Sequence, residues 1–237
     1  DPKTHLRTET GAKDIGRQSR VTGSNVTSFA IAGGLSITGH KGTATIRNSV
    51  PTDDSVSTSL TSGSAIAKGA AINASADSTG VRAIVNETTT TFAAQISGGT
   101  LDTTDFMTIN GSKISGFTVR QGDADGALQD AINAVSDDTG VVAGLSSSGA
   151  LTLTAVDGRN INIQLTGVAT VVTGNSVAPP SNFVSGDASD MVISGTVTLQ
   201  SKELFEVAGG GVVGHTDGLH GVNSSLAVSS VALSKRA

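Results

Sequence analysis

The stretch Met107-Thr-Ile-Asn-Gly-Ser-Lys-Ile114 contains a strong hairpin signal. Asparagine followed by glycine favours a two-residue turn, because both turn positions need a positive φ angle. Such a turn places Met107 opposite Ile114 on two short antiparallel strands. Phe117 has changed parity relative to Ile114, which predicts a β-bulge at Gly116. We therefore expect a hairpin that opens a larger structural unit.

A helical periodicity follows this hairpin. Apolar residues recur at spacings of three and four, which is one continuous stripe on a helix; they are Ala124, Ala127, Leu128, Ala131, Ile132 and Val135. The helix is expected to end near Val135, before the polar run that begins at Asp137. Asp123 or Asp125 can cap its start by accepting hydrogen bonds from free backbone N–H groups.

The same pattern occurs earlier in the chain. Ala71-Ile-Asn-Ala74 returns as Ala131-Ile-Asn-Ala134, and ten of the seventeen positions from 67 to 83 are identical to those sixty residues later. This duplication predicts a first helix over about Ser64–Ser75. Two copies of a unit this small are expected to pack against each other, since neither can bury its sheet face alone.

The upstream parts of the two copies match at a different offset. When the two copies are aligned with an offset of 72 residues, three positions are identical, namely Ile37 with Ile109, Gly39 with Gly111 and Lys41 with Lys113. The first hairpin turn is therefore expected at Thr38-Gly39. The two offsets differ by twelve, which predicts an insertion in the first copy, most simply the loop Asn48–Leu60.

Two alternating segments follow the second helix. Their apolar positions are Leu151, Leu153 and Ala155, then Ile161, Ile163 and Leu165. A three-residue loop over 156–158 would set Leu153 opposite Ile161 and give Gly158 a left-handed conformation. Because burial of one face fixes strand register, we expect these two strands to form a hairpin.

The sequence as a whole predicts an α+β, strand-rich fold with two tandem hairpin–helix–strand units and a third all-β unit. We assign residues 1–30 to a polar linker or leader, 31–100 to the first repeat unit, 101–170 to the second, and 171–237 to a β-rich unit and return segment. Within the last range, residues 174–190 are expected to be a linker or exposed loop because of Pro179-Pro180. The chain is expected to be a piece of a longer protein.

Composition excludes several classes of protein. The 237 residues include no cysteine, tyrosine or tryptophan, and 15 basic residues stand against 20 acidic ones, for a net charge of −5. The chain therefore has no disulfide scaffold or thiolate metal site. Acidity with few aromatic rings argues against nucleic-acid binding. No apolar run is long enough to suggest membrane insertion.

Several residue groups were weighed as candidate sites. His215-Thr-Asp217-Gly-Leu-His220 could supply two zinc ligands and a carboxylate, but the spacing matches no standard motif, and solvated loop residues are expected. Asp53-Asp54 and Asp137-Asp138 are expected to be exposed charges on turns. Asp123-Ala-Asp125 lacks the closing glutamate of a calcium loop. Gly209-Gly210-Gly211 is not followed by the lysine of a phosphate-binding loop.

Asparagine and threonine side chains are candidates for backbone hydrogen bonds and for glycosylation. Asn73 and Asn133 lie off the apolar stripes and are expected to bind the backbone of the following turn rather than a ligand. Three N-glycosylation patterns begin at Asn25, Asn86 and Asn223, although such patterns arise by chance in this composition. The run Thr88–Thr91 is either an O-glycan acceptor or a strand. We assign no catalytic, cofactor-binding or metal-binding residue, and no cofactor.

The joint pattern resembles a known repeat. It combines Ile109-Asn-Gly111, Ala131-Ile-Asn-Ala134, Thr139-Gly-Val141, Leu151–Ala155 and Asp157-Gly-Arg-Asn-Ile161. This combination is similar to the IN motif of the variable outer region of bacterial flagellins and some flagellar hook proteins. The resemblance covers roughly residues 35–210, although the first copy lacks the Asn-Gly turn.

The resemblance implies a structural, non-enzymatic role in bacterial motility. It implies a secreted protein of the extracellular filament, whose outer domains face solvent. Its partners would be other flagellin subunits, through helical regions absent from this sequence, and neighbouring outer domains, with no nucleic acid and no membrane insertion. The alternatives are a hook-type flagellar component and a secreted adhesin-like binding module. A hydrolase that uses the histidine loop is the least favoured hypothesis.

Overall fold

A computed structural model describes residues 19–174, 183–186 and 190–221. Most of the predicted leader, most of the 174–190 loop and the final segment lie outside these ranges. The described strands are β1 (Ser19–Asn25), β2 (Ser36–Gly39), β3 (Gly42–Thr45), β4 (Val81–Val85), β5 (Thr88–Gln95), β6 (Gly99–Leu101), β7 (Met107–Ile109), β8 (Ser112–Ile114), β9 (Phe117–Val119), β10 (Val142–Leu145), β11 (Ala150–Ala155), β12 (Ile161–Leu165), β13 (Phe183–Gly186), β14 (Asp190–Ile193), β15 (Thr196–Ser201), β16 (Phe205–Ala208) and β17 (Gly218–His220). The helices are α1 (Ala65–Asn73), α2 (Ala76–Thr79), α3 (Ala127–Asn133), α4 (Ser136–Thr139) and α5 (Ala169–Val172).

Two hydrophobic cores divide these elements into two lobes. Lobe one is built from β1–β4, α1, α2 and β15–β17, and its core runs from Val26 to Ala83 and from Val197 to Val213. Lobe two is built from β5–β14 and α3–α5, and its core runs from Phe92 to Ile193. The chain therefore leaves lobe one after β4, completes lobe two and returns to lobe one at β15.

The strands after residue 190 do not form the separate all-β unit that the sequence predicted. β14 pairs with β12 in lobe two, β15 lies between β1 and β4, and β16 pairs with β2. β5 falls within the predicted first unit, residues 31–100, but it pairs with β11 of the second. Alternation identifies strands but not their partners. The α+β, strand-rich class itself is confirmed.

Both predicted repeat helices are present. α1 begins after Ser64, whose hydroxyl accepts the N–H of Ala67 at 3.1 Å as an N-cap. α3 begins at Ala127, three residues after the start of the predicted apolar stripe at Ala124, because Asp123 and Gly126 have positive φ angles of 52° and 73°. The N-cap position is Gly126, and the Asp123 carboxylate, three residues before it, satisfies the helix start by accepting the N–H of Leu128 at 2.9 Å.

The second hairpin is confirmed and the first is corrected. Asn110 and Gly111 have φ angles of 48° and 91°, and Met107 lies opposite Ile114. In the first copy the turn is His40-Lys41, not Thr38-Gly39, because Gly39 pairs with Gly42. The turns are thus seventy residues apart, and the insertion has ten residues rather than twelve.

Two other local predictions were wrong. β11 and β12 do not pair with each other: β11 lies between β10 and β5, whereas β12 lies between β14 and β7. Their apolar faces meet in the same core, so residues 156–160 carry the chain from one sheet to another. Gly116 forms no bulge, since it separates β8 and β9, which belong to different sheets. Gly158 does have the expected left-handed conformation, with φ 80°.

Replacement of Leu153 by aspartate tests the assignment of β11. The Leu153 side chain is fully buried in lobe two, so a carboxylate there would lack a partner and lower the free energy of unfolding by about 4 kcal/mol. Thr152→Asp, on the solvent side of the same strand, is the matched control. Equal melting temperatures for the two variants would contradict the assignment.

Candidate functional site

The repeated asparagine anchors each helix to the strand that follows it. The Asn73 Nδ2 donates to the Ala83 carbonyl at 3.0 Å, and the Ala83 N–H donates to the Asn73 Oδ1 at 2.8 Å. Asn133 makes the same pair of hydrogen bonds with Ala143, at 3.3 and 2.7 Å. The expectation that these side chains bind backbone is confirmed, although the partner is a strand residue ten positions later.

A repeated threonine fixes the turn between helix and strand. The Thr79 Oγ1 accepts the N–H of Val81 at 3.1 Å, and the Thr139 Oγ1 accepts the N–H of Val141 at the same distance. Both threonines are buried. The two copies therefore share their buried polar contacts as well as their sequence, and this anchored helix–strand joint is the common unit of the protein.

Cross-strand threonine pairs cover part of the surface. Among the described residues, hydroxyl groups lie 2.7–3.2 Å apart in the pairs Thr22–Thr198, Thr38–Thr43, Thr89–Thr154, Thr91–Thr152 and Thr100–Thr118. Such pairs stabilise neighbouring strands without charge. The run Thr88–Thr91 lies at the start of β5, which favours its interpretation as a strand.

The insertion in the first copy contacts lobe two. The Asn160 N–H donates to the Ser57 hydroxyl at 2.9 Å, and the Asn160 side chain donates to the Ser59 carbonyl at 3.0 Å. Thr58 lies 3.4 Å from the Asn110 side chain, next to the second hairpin turn. The difference between the two repeat offsets indicates this loop, but no pattern in the sequence indicates its partner, which is far away in the chain.

The two aspartates of this loop differ in environment. Asp53 is partly buried, with 13% of its side chain exposed, and its hydrogen bonds with Arg47, 2.8 Å long, lower the pKa of the carboxyl group. Asp54 is only 3% exposed, which corrects the expectation of two solvated charges. Its burial by itself would raise the pKa, but hydrogen bonds from Ser57, Ser64 and backbone N–H groups outweigh that effect and lower it.

The other carboxylates that were weighed are structural or solvated. Asp137 and Asp138 are exposed, as expected. Asp125 lies 3.2 Å from Arg120, while Asp123 is buried at the start of α3.

The histidine segment is not a metal site in the described residues. The Nε2 atoms of His215 and His220 donate to the carbonyls of Val197 at 3.0 Å and Thr216 at 2.7 Å. His215 is 4% exposed, which corrects the expectation of a solvated loop residue, and burial lowers its pKa. Asp217 instead accepts the N–H of Gly210 at 2.8 Å, so the carboxylate closes the glycine-rich turn.

In two of the three glycosylation patterns the asparagine side chain donates hydrogen bonds within the protein. The Asn25 side chain donates to the Ser194 carbonyl, and the Asn86 side chain donates to the hydroxyls of Thr196 and Thr198, both at 2.9 Å. Asn223 lies outside the described residues. These contacts make Asn25 and Asn86 part of the junction between the lobes.

Lys68 is the buried cation of lobe one. It has no exposed surface, and its Nζ donates to the Thr27 carbonyl at 2.5 Å. No carboxylate in the described part of the chain pairs with it, and burial lowers its pKa to about 7. The repeat contains the signal for this burial, because Lys68 occupies the position that Leu128, a buried residue of the apolar stripe, occupies in the second copy.

Comparisons with known proteins agree with the repeated unit. A family model described as the flagellin hook IN motif matches residues 107–157. Flagellin A of Helicobacter felis is 43% identical over 94 residues, which are 39% of this chain and 18% of that protein. Flagellin B of Helicobacter pylori is 32% identical over 142 residues, 60% of this chain and 26% of that protein. The chain is related to the flagellins.

The matched region of this flagellin-related chain is the second copy. Residues 107–157 contain the Asn110 turn, the Asn133 anchor and the strands β10 and β11. The chain covers only 18–26% of the length of these flagellins. In the described ranges, no helix has the length and apolar character needed to cross a membrane.

Replacement of Asn73 by alanine tests how much its hydrogen bonds contribute to the stability of the fold. We expect Asn73→Ala to lower the free energy of unfolding by about 1–3 kcal/mol, because the Ala83 N–H and C=O lose their partners. The exposed Asn48, whose side chain makes no hydrogen bond in the described residues, gives the control Asn48→Ala. Hydrogen exchange at the Ala83 amide should also accelerate in the first variant. Equal stability of the two variants would reject the anchor.

The buried lysine predicts a specific pH dependence. Because the pKa of Lys68 falls to about 7 on folding, the unfolded chain binds more protons between pH 7 and about 10.4. The free energy of unfolding should therefore rise with pH in that window, by at most about 1.4 kcal/mol per pH unit. The chain has no cysteine or tyrosine to titrate in the same range.

Urea unfolding at pH 7 and pH 9.5 measures this effect. Lys68→Met should raise the stability at pH 7 and remove most of the pH dependence, since no ammonium group remains to be buried. Lys202→Met, at an exposed position, should leave the slope unchanged. If the free energy of unfolding of Lys68→Met rose with pH as steeply as that of the parent chain, a group other than Lys68 would cause the pH dependence.

Proposed function

We propose that this chain is a structural, outward-facing part of a flagellin subunit, and that it decorates the extracellular filament of a motile bacterium. The observation that carries the proposal is the match of residues 107–157 to the flagellin hook IN motif, together with the flagellin relatives. The anchored helix–strand joint that occurs twice supports a role in shape rather than in chemical reaction.

The geometry is consistent with a stiff projection. Lobe two is attached to lobe one through two chain crossings and the hydrogen bonds of the inserted loop, so its orientation is constrained at several points. The threonine pairs give an uncharged, hydroxyl-rich surface that suits solvent exposure. Assembly with other subunits would use regions of flagellin outside the matched stretches.

A hook-type component is the second candidate. The description of the matched motif names the hook as well as flagellin, so the repeat by itself does not separate the two locations. A secreted adhesin-like module with the same unit would be found elsewhere on the cell surface.

Immunogold electron microscopy of the bacterium that expresses this protein tests the proposal. Antibodies raised against the purified chain should label intact filaments along their length, because outward-facing lobes are accessible without dissociation. A strain that lacks the gene is the control. Label confined to the hook or to the cell body would reject the filament assignment, and label on dissociated filaments only would reject the outward orientation.

A further inference from the structure

A surface groove in lobe one gathers positive charge. The cavity has a volume of about 270 Å³ and lies between the β2–β3 turn, the α2–β4 junction and the end of β15. Three cations from these three places line it, namely Lys41, Arg82 and Lys202. Asp77 is the acidic side chain among its lining residues.

In the described part of the chain, the three cations of the groove make no ion pair and no side-chain hydrogen bond. Nine lysines and arginines lie in the described ranges. Five of them donate to a carboxylate or a carbonyl oxygen, namely Arg47, Lys68, Lys113, Arg120 and Arg159. The remaining four are Arg20, Lys41, Arg82 and Lys202, and for none of these does the described structure contain an ion pair or a side-chain hydrogen bond.

All four unpartnered cations belong to one surface. Gln200 on the central strand β15 lies beside Arg20 of β1 on one side and Arg82 of β4 on the other. Side chains at directly paired positions project from the same face of a sheet. Arg20 therefore extends the positive surface next to the groove. Like charges at short range repel, so a bound anion would stabilise this arrangement.

The second copy of the unit serves as an internal comparison. In lobe one the His40 ring lies against Gly80, and in lobe two the Arg159 guanidinium lies against Gly140 at the corresponding place. Arg159 is neutralised by Asp157, with Nη2 and Oδ2 2.7 Å apart.

Two cationic positions of the groove are occupied by uncharged residues in lobe two. The turn residue Lys41 corresponds to Gly111, and Arg82 corresponds to Val142. The shared fold therefore does not require cations at these positions. The open, positively charged groove is specific to the first copy, which indicates a role beyond packing.

We propose that this groove binds a tetrahedral oxyanion, a phosphate or sulfate group that is either free or esterified to a sugar. Ammonium and guanidinium groups from three sides suit an anion with several acceptor oxygens. The Ser201 hydroxyl, 3.4 Å from the His40 ring, adds a polar group to the lining of the groove. Asp77 weakens binding of any anion and sets an upper limit on its affinity.

Nuclear magnetic resonance titration of the 237-residue chain tests this site. Inorganic phosphate, inorganic sulfate and glucose 6-phosphate should each shift the backbone amide signals of residues 40–41, 80–82 and 200–202 in a saturable way. Sodium chloride at matched ionic strength should not. Tighter binding of glucose 6-phosphate than of free phosphate would identify the ester as the preferred form, and equal binding the free anion.

Three variants make the test specific. The double substitution Lys41→Gln, Arg82→Gln should weaken phosphate binding about tenfold or more, whereas Asp77→Asn should strengthen it. Arg120→Gln, which removes the same kind of charge from lobe two, is the control and should bind as the parent chain does. Melting curves establish that each variant is folded. Identical shifts with chloride, or unchanged affinity in the double variant, would overturn the proposal.

Discussion

The pairing of β4 with β15 is the constraint on which the rest of the molecule depends. These strands belong to the same sheet of lobe one, although more than one hundred residues separate them in the chain. The described residues between them form lobe two. The Asn86 N–H donates to the Thr196 carbonyl at 3.1 Å, just where the two chain crossings leave that sheet. The long loop that this pairing closes has an entropic cost, which the packing of lobe two offsets.

Both lobes attach their repeat helix to the following strand in the same way. A short helix must be held on a strand that follows it after a tight turn, and neither element is long enough to be stable alone. The paired hydrogen bonds of Asn73 and Asn133 supply that attachment at equal spacing. Because the attachment uses backbone groups of the strand, the surrounding surface is free to change, and the two copies differ greatly in charge.

The first copy differs most from the second in its inserted loop and its cationic groove. The loop contacts lobe two through Ser57 and Asn160, so it adds a connection that is independent of the chain crossings. The groove lies near the His40-Lys41 turn and the α2–β4 junction. The first copy thus combines a loop that contacts lobe two with an open, positively charged groove. In the second copy Arg159, which takes the place of His40, is paired with Asp157.

The sequence by itself determined the local elements of this protein. The Asn110-Gly111 turn, the two repeat helices, an aspartate at the start of the second one and the burial of alternate residues in β11 and β12 all follow from conformational preference and periodicity, which act over a few residues. Only the tertiary structure decided which strands pair, that the chain returns to lobe one at β15, and that Lys41, Arg82 and Lys202 share one groove. Those features depend on contacts between distant segments, and a one-sided apolar pattern is satisfied equally well by several partners.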